Sequence, residues 1–202
     1  LLTRHARGTE LWRLALGLVF AVFVTFGLGQ GLIALAAVAL PPDAYWTFMI
    51  QLREGTTPLG MLAMLLNAGA MGIAALVTAQ IVHRRAPLSL FGPRRLFLWQ
   101  FYRTTVAIGL LYVVISILPP WPLSAGMTRS MPLMNWLGLL PLTLITLLIQ
   151  TAGEELLFRG YLQTQLAARL KHPAVWLILP SALFALGHWV PEIYGSNAGL
   201  VA

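Results

Sequence analysis

Two adjacent carboxylates stand where carboxylates are expensive. Glu154 and Glu155 interrupt an apolar run that reads Gln150-Thr-Ala-Gly-Glu154-Glu155-Leu-Leu-Phe-Arg159-Gly160-Tyr-Leu. Ionisable groups inside a membrane span are costly unless paired or hydrated, so they are functional candidates by default. Their spacing separates two roles. Glu155 and Arg159 are i and i+4 on one helical face and can pair. Glu154 lies about 100° around the helix and does not share that partner as easily. Upstream, Thr143, Thr146, Gln150 and Glu154 recur at steps of three and four. They form a polar stripe that ends at Glu154 and faces a partner helix or a wet cavity. A structural alternative exists for each group. The pair Glu155–Arg159 neutralises two charges and braces the helix, and Glu154 caps the helix end in water.

The second candidate is His188, in Ser181-Ala-Leu-Phe184-Ala-Leu-Gly-His188. Phe184 and His188 share a helical face. A lone histidine near a helix end is often only hydrogen-bonded at an interface. Its distance from Glu154 argues for more. Lys171-His172-Pro173 is the natural turn between two helices, and residue 171 is the midpoint of 154 and 188. In an antiparallel hairpin folded there, both side chains come level, about 25 Å of helix from the turn. A carboxylate and an imidazole held level make a water-activating pair or part of a metal site. The helix carrying Glu154 must then run from about 133 to 170. At that length it is tilted, kinked or extended into the cytoplasm, with Pro141 and Gly153 as candidate kink points.

Composition supplies the elements that position these groups. The chain has 202 residues, 58% hydrophobic and 9% charged, with mean hydropathy +0.80. Ordinary soluble domains carry about 25% charged residues, so this is an integral membrane protein, neither soluble nor disordered. No cysteine is present, which removes disulfides, thiol catalysis and Cys-bound zinc. Charges punctuate apolar runs: 29 uncharged residues lie between Arg13 and Asp43, 29 between Glu54 and Arg84, 25 between Arg103 and Arg129, and 24 between Arg129 and Glu154. A further run spans His172 to Pro191. A membrane helix needs about 20 residues. Helices are predicted near 14–40, 57–82, 104–121, 133–153 and 173–190, because lipid offers the backbone no hydrogen-bond partners. The fold class is all-α: a polytopic membrane bundle of about five to six helices, truncated at its C-terminus. One continuous membrane domain is expected. It comprises residues 1–132, with a cytoplasmic loop 83–103, and the site-bearing helices 133–202.

Arginine placement sets the orientation. With the N-terminus cytoplasmic, that side receives Arg4, Arg7, Arg13, Arg84, Arg85, Arg94, Arg95, Arg103, Arg159, Arg169 and Lys171, against Arg53 and Arg129 outside. The net charge of +7 therefore reports topology and contact with anionic lipid, not nucleic acid. Pro41-Pro42, Pro87, Pro93 and Pro119-Pro120 with Pro122 mark turns. The loop from Leu90 to Arg95 reads as a short interfacial helix. Gly27, Gly29 and Gly31 include the spacing that permits close helix contact. His83, ahead of Arg84-Arg85 at a helix end, reads as structural.

Glu154-Glu155-x-x-x-Arg159 followed by Phe184-x-x-x-His188 resembles the first two motifs of the CAAX-processing and bacteriocin-processing intramembrane proteases, the CPBP or Abi family. The continuation Phe158-Arg159-Gly160-Tyr161-Leu162 is also similar. The resemblance covers roughly residues 133–190. It implies peptide-bond hydrolysis within the membrane, with Glu154 polarising a water together with His188, and Glu155–Arg159 as the supporting ion pair. Phe184 would be the packing residue of the second motif. Zinc is the usual suggestion, held here by Glu154 and His188, although a glutamate mechanism without metal is also argued. Implied partners are a peptide or lipidated-protein substrate and membrane lipids, in a bacterial inner membrane. The family carries a further His-x-x-x-Asn or His-x-x-x-Asp, and none of Glu192, Ser196 and Asn197 forms it. The expectation is a truncated chain, since Gly199-Leu-Val-Ala resembles the start of another apolar stretch. Two other classes compete: an inactive binding or bacteriocin-immunity protein using the same cavity, and a proton-relay transporter. The transporter class predicts an internal repeat, and the sequence contains none.

Overall fold

The computed structural model describes residues 3, 6, 10–118 and 131–189. The Pro119–Pro122 turn, Arg129 and the stretch from Gly199 lie outside them. The described residues form helices and turns with no strand. The helices are α1 (Leu11–Ala39), α2 (Pro42–Glu54), α3 (Pro58–Ile81) and α4 (Arg94–Ile117). They continue with α5 (Leu133–Glu155), α6 (Thr164–Arg169) and α7 (Pro173–Gly187). A 3-10 turn covers Pro87–Phe91, and a π-helical segment, Leu156–Gln163, joins α5 to α6 without a break. Four helices are long and apolar enough to cross a membrane, namely α1, α3, α4 and the continuous rod Leu133–Arg169, while α7 is shorter. The polytopic all-α bundle read from composition is the architecture found.

Local signals set the boundaries. Pro42 opens α2 with Asp43 in its first turn, and Gly55 closes it at φ 64. Thr57 caps α3, its hydroxyl accepting from Gly60 N–H at 3.1 Å, which satisfies one of the unpaired N-terminal donors. Helix α2 was not among the expected elements. It carries Asp43, Arg53 and Glu54, so a criterion built on uncharged runs passes over it. Helix α4 begins at Arg94, well before 104, and so converts much of the expected loop 83–103 into helix. Arg94, Arg95 and Arg103 interrupt the apolar run without breaking the helix. Where a short helix was expected at Leu90–Arg95, a 3-10 turn covers Pro87–Phe91 and α4 starts at Arg94.

Helix α3 is the centre of the bundle. Its buried residues include Gly60, Ala63, Gly69, Ala70, Gly72, Ala74, Ala75 and Ala79. Small side chains let backbones approach, the main route to helix association where lipid removes the hydrophobic drive. At the crossing with α5, a Cβ on Gly72 would lie 2.9 Å from Gly153 Cα, and one on Gly153 would lie 2.8 Å from Gly69 O. Gly153 is thus a crossing point. The glycines singled out from sequence behave differently: a Cβ on Gly27 or Gly31 would meet nothing within 4 Å, and only Gly29 abuts a neighbour, Asn67. Spacing alone does not separate a contact glycine from a lipid-facing one. The apolar core gathers Leu14, Ala79, Leu90, Leu156, Tyr161 and Leu166. It therefore sits where α1, the end of α3, the 3-10 turn and the π segment meet. No residue of α4 is buried.

Candidate active site

The polar stripe of α5 splits at the bundle interface. Thr146 is 2% exposed and lies on the face that carries Gly153. Its hydroxyl donates back to Leu142 O at 3.0 Å, and Thr143 does the same to Leu139 O at 3.0 Å. Both hydroxyls are satisfied by their own helix, Thr146 on the packed side and Thr143 half-buried beside a second cavity. Gln150 and Glu154 point their polar ends at each other: Gln150 Nε2 donates to Glu154 Oε1 at 3.2 Å. The stripe therefore meets both expected settings, a partner helix for its first half and a cavity at its end.

Helix α7 returns antiparallel after Leu170, Lys171 and His172, and brings His188 level with Glu154. His188 Nε2 lies 4.0 Å from Glu154 Oε1. The hairpin arithmetic thus places the two groups together. Glu154 is 9% exposed, whereas the His188 side chain is 48% exposed. His188 Nδ1 lies 2.9 Å from Phe184 O, so the Nδ1–H tautomer donates to that carbonyl and leaves Nε2 as an acceptor aimed at Glu154. The ring also packs on Phe184, with centroids 4.3 Å apart. Phe184 in turn meets Phe158 edge-on at 5.3 Å and 90°. The Phe-x-x-x-His spacing therefore has a mechanical meaning. Phe184 supplies both the carbonyl that sets the tautomer and the face that sets the ring plane, and Phe158 ties it to the helix carrying the acid.

A cavity of about 230 Å³ opens beside Glu154, with Phe184 rather than His188 in its lining. Glu154, Glu155, Phe158 and Arg159 line one side, and Ser181 and Phe184 line the other. Glu154 Oε1 accepts from Gln150 and faces His188 Nε2 across 4.0 Å, while Oε2 has no hydrogen-bond partner among the described residues. Glu155 and Arg159 pair at 2.9 Å as their spacing requires, but their side chains are 52% and 72% exposed. The pair predicted from the i, i+4 spacing thus forms, but it is not a buried one. Both residues line the cavity.

Two donors do not complete a zinc site. Structural and catalytic zinc take at least three protein ligands, at about 2.0–2.1 Å for nitrogen and oxygen. Two such bonds at a tetrahedral angle need donors about 3.3 Å apart, against the 4.0 Å seen. Among the described residues, no group of three His, Asp or Glu side chains could hold a metal. A water fits the gap, since an oxygen about 2.8 Å from each atom bridges it with ordinary hydrogen bonds.

A second polar cluster was not read from sequence as part of any site. His83 is 1% exposed and Arg85 2%, so Arg85 is not a lipid-facing charge. His83 Nε2 and the Tyr161 hydroxyl are 2.8 Å apart. Arg85 Nη1 donates to Thr164 Oγ1 at 2.8 Å, and burial pulls its guanidinium below the ordinary arginine value. Tyr161 and Thr164, polar positions three apart within 156–170, were the only local signal. Their partners lie far away in sequence.

The fold and the site together define a multi-pass all-α membrane protein that brings an acid and an imidazole within 4.0 Å of each other, the acid lining a cavity between two helices. A family model described as type II CAAX prenyl endopeptidase Rce1-like matches residues 136–201. That segment, about a third of the chain, contains Glu154, Glu155, Arg159, Phe184 and His188. Neither a curated protein nor a solved structure matches the chain.

Proposed function

We propose that this chain is an intramembrane endopeptidase of the CAAX-processing type, acting on a peptide or the tail of a prenylated protein. The observation that carries the reading is the 4.0 Å approach of His188 Nε2 to Glu154 Oε1 across two helices, beside a cavity. A water bridging the two gives up a proton to Glu154, the general base, while His188 Nε2 accepts its second hydrogen bond and orients the oxygen. That oxygen attacks the carbonyl carbon of the scissile bond. Collapse of the tetrahedral intermediate breaks the C–N bond, and the proton held by Glu154 passes to the leaving amine. Gln150 steadies the carboxylate through its amide N–H. None of these steps uses a metal.

In this reading the N-terminus is cytoplasmic, as the arginine distribution suggests, and the membrane is a bacterial inner membrane, as the family resemblance implies. A second reading, a binding or immunity protein with the same cavity, draws on the small donor set: Glu154 and His188 are the two proton-transfer groups at the pair. Cleavage of a quenched, farnesylated CAAX peptide by the full-length chain in detergent separates the two. The peptidase reading expects turnover that Glu154→Gln and His188→Ala abolish while the fold persists. Retained activity in Glu154→Gln removes this acid from the mechanism. Binding without cleavage in the unaltered chain selects the second reading.

A further inference from the structure

A buried guanidinium is expensive unless its charge is matched, yet Arg85 has no carboxylate partner among the described residues. Its backbone is turned inward on purpose. Arg84 adopts a left-handed φ of 49, and the Arg85 N–H closes back onto Ala79 O at 2.9 Å. The guanidinium then spans two elements. Nε donates to Ser89 Oγ at 2.8 Å and Nη2 to Ser89 O at 3.3 Å. Nη1 reaches Thr164 Oγ1 at 2.8 Å, whose own hydroxyl donates to Gly160 O at 2.6 Å. Beside it, His83 meets Tyr161, and a Cβ on Gly160 would lie 3.2 Å from Leu90 O. The contacts that cross between the two stretches, Arg85–Thr164, His83–Tyr161 and Leu90–Gly160, fall on residues 160, 161 and 164 and come from the connection between α3 and α4.

The anchored stretch is the π-helical segment and the residue that ends it. Wide turns of this kind are rare and cluster at functional sites, and they persist where the surroundings over-determine them. The back of the segment is bolted to residues 83–90. Its front supplies Phe158, Arg159 and Gln163 to the cavity wall. Glu154 lies upstream and is held separately by the Gly153 crossing with α3.

We propose that Arg85 is a positioning residue. Through Thr164 it holds the π segment in the register that presents Phe158, Arg159 and Gln163 to the cavity, and so sets substrate affinity rather than the chemistry at Glu154. Its kinetic readout rests on the peptidase reading, while its labelling readout does not. The test uses the full-length chain with Arg85→Lys, Thr164→Val and Thr164→Ser. Lysine has no planar fork with which to bridge Ser89 and Thr164 together, and valine keeps the volume but loses the acceptor. Arg85→Lys and Thr164→Val are expected to raise KM for the farnesylated peptide about tenfold, the scale of one charge-assisted hydrogen bond, with kcat little changed. Thr164→Ser restores the parent KM. Because the chain has no cysteine, Gln163→Cys carries a single thiol, and its rate of methanethiosulfonate labelling should shift severalfold with Thr164→Val and return with Thr164→Ser. Parent-like KM and labelling in folded Thr164→Val overturn the proposal, as does a fall in kcat at constant KM. If Arg85→Lys does not fold, the two Thr164 variants decide. If no version cleaves the peptide, the labelling rate decides alone, and an unchanged rate refutes the latch.

Discussion

Gly153→Ala tests whether the crossing of α3 and α5 places the acid. A Cβ there would lie 2.8 Å from Gly69 O, 3.1 Å from Gly72 N and 3.2 Å from Gly69 Cα. All three are backbone atoms, so no side chain can swing aside. Relief from 2.8 Å to the 3.4 Å where ordinary contact starts means the two helices part by about 0.6 Å, an overpacking cost of about 1–3 kcal/mol. Alanine returns about 1 kcal/mol of helix propensity, leaving a net loss of about 0–2 kcal/mol. Glu154 is the next residue and moves with the backbone. A 1 Å misplacement can cost about a hundredfold in rate, so a shift of this size should lower kcat/KM about tenfold. Gly138→Ala is the control on the same helix, because a Cβ there meets nothing within 4 Å. It should leave kcat/KM unchanged and raise Tm slightly. Peptide cleavage and thermal unfolding in detergent read both quantities. Parent-like kcat/KM in Gly153→Ala refutes the idea that this crossing sets the height of the acid.

Glu155→Ala and Arg159→Ala should each cost only about 0–1 kcal/mol, as exposed ion pairs do, and should act on KM because both residues line the cavity. A large fall in Tm with unchanged KM would return the pair to a bracing role. Gly17→Ala puts a Cβ into the Tyr161 hydroxyl and within 3.0 Å of His83 Nε2. It should destabilise by about 1–3 kcal/mol, and Tyr161→Phe should recover part of that loss. A double-mutant cycle with no coupling between positions 17 and 161 contradicts the packing described. Treatment with EDTA should leave cleavage intact, given a two-donor set at 4.0 Å. Loss of activity restored by added zinc would bring further donors from outside the described residues into the site.

Much of the site was legible before any coordinates, for a specific reason. Glu154, Glu155 and Arg159 share one helix, so their relation is fixed by its period, and the 2.9 Å pair follows. His188 required one further step, the turn at Lys171-His172-Pro173, because a short hairpin converts sequence distance into height. Membrane composition was equally direct, since lipid imposes helices on any apolar run of sufficient length. What the chain could not announce were relations between elements far apart in sequence. Nothing near Arg85 says that it turns inward to Thr164, or that Gly69, Gly72 and Gly153 rather than Gly27 and Gly31 carry the contact. Those outcomes depend on which faces meet, and every face of an apolar helix looks alike to its own sequence. The exposure of the Glu155–Arg159 pair likewise depended on which faces pack together. Periodicity and turn chemistry placed the acid and the imidazole at one depth. The packing of α3 against α5, and the anchoring of the π segment behind them, decided what surrounds that pair.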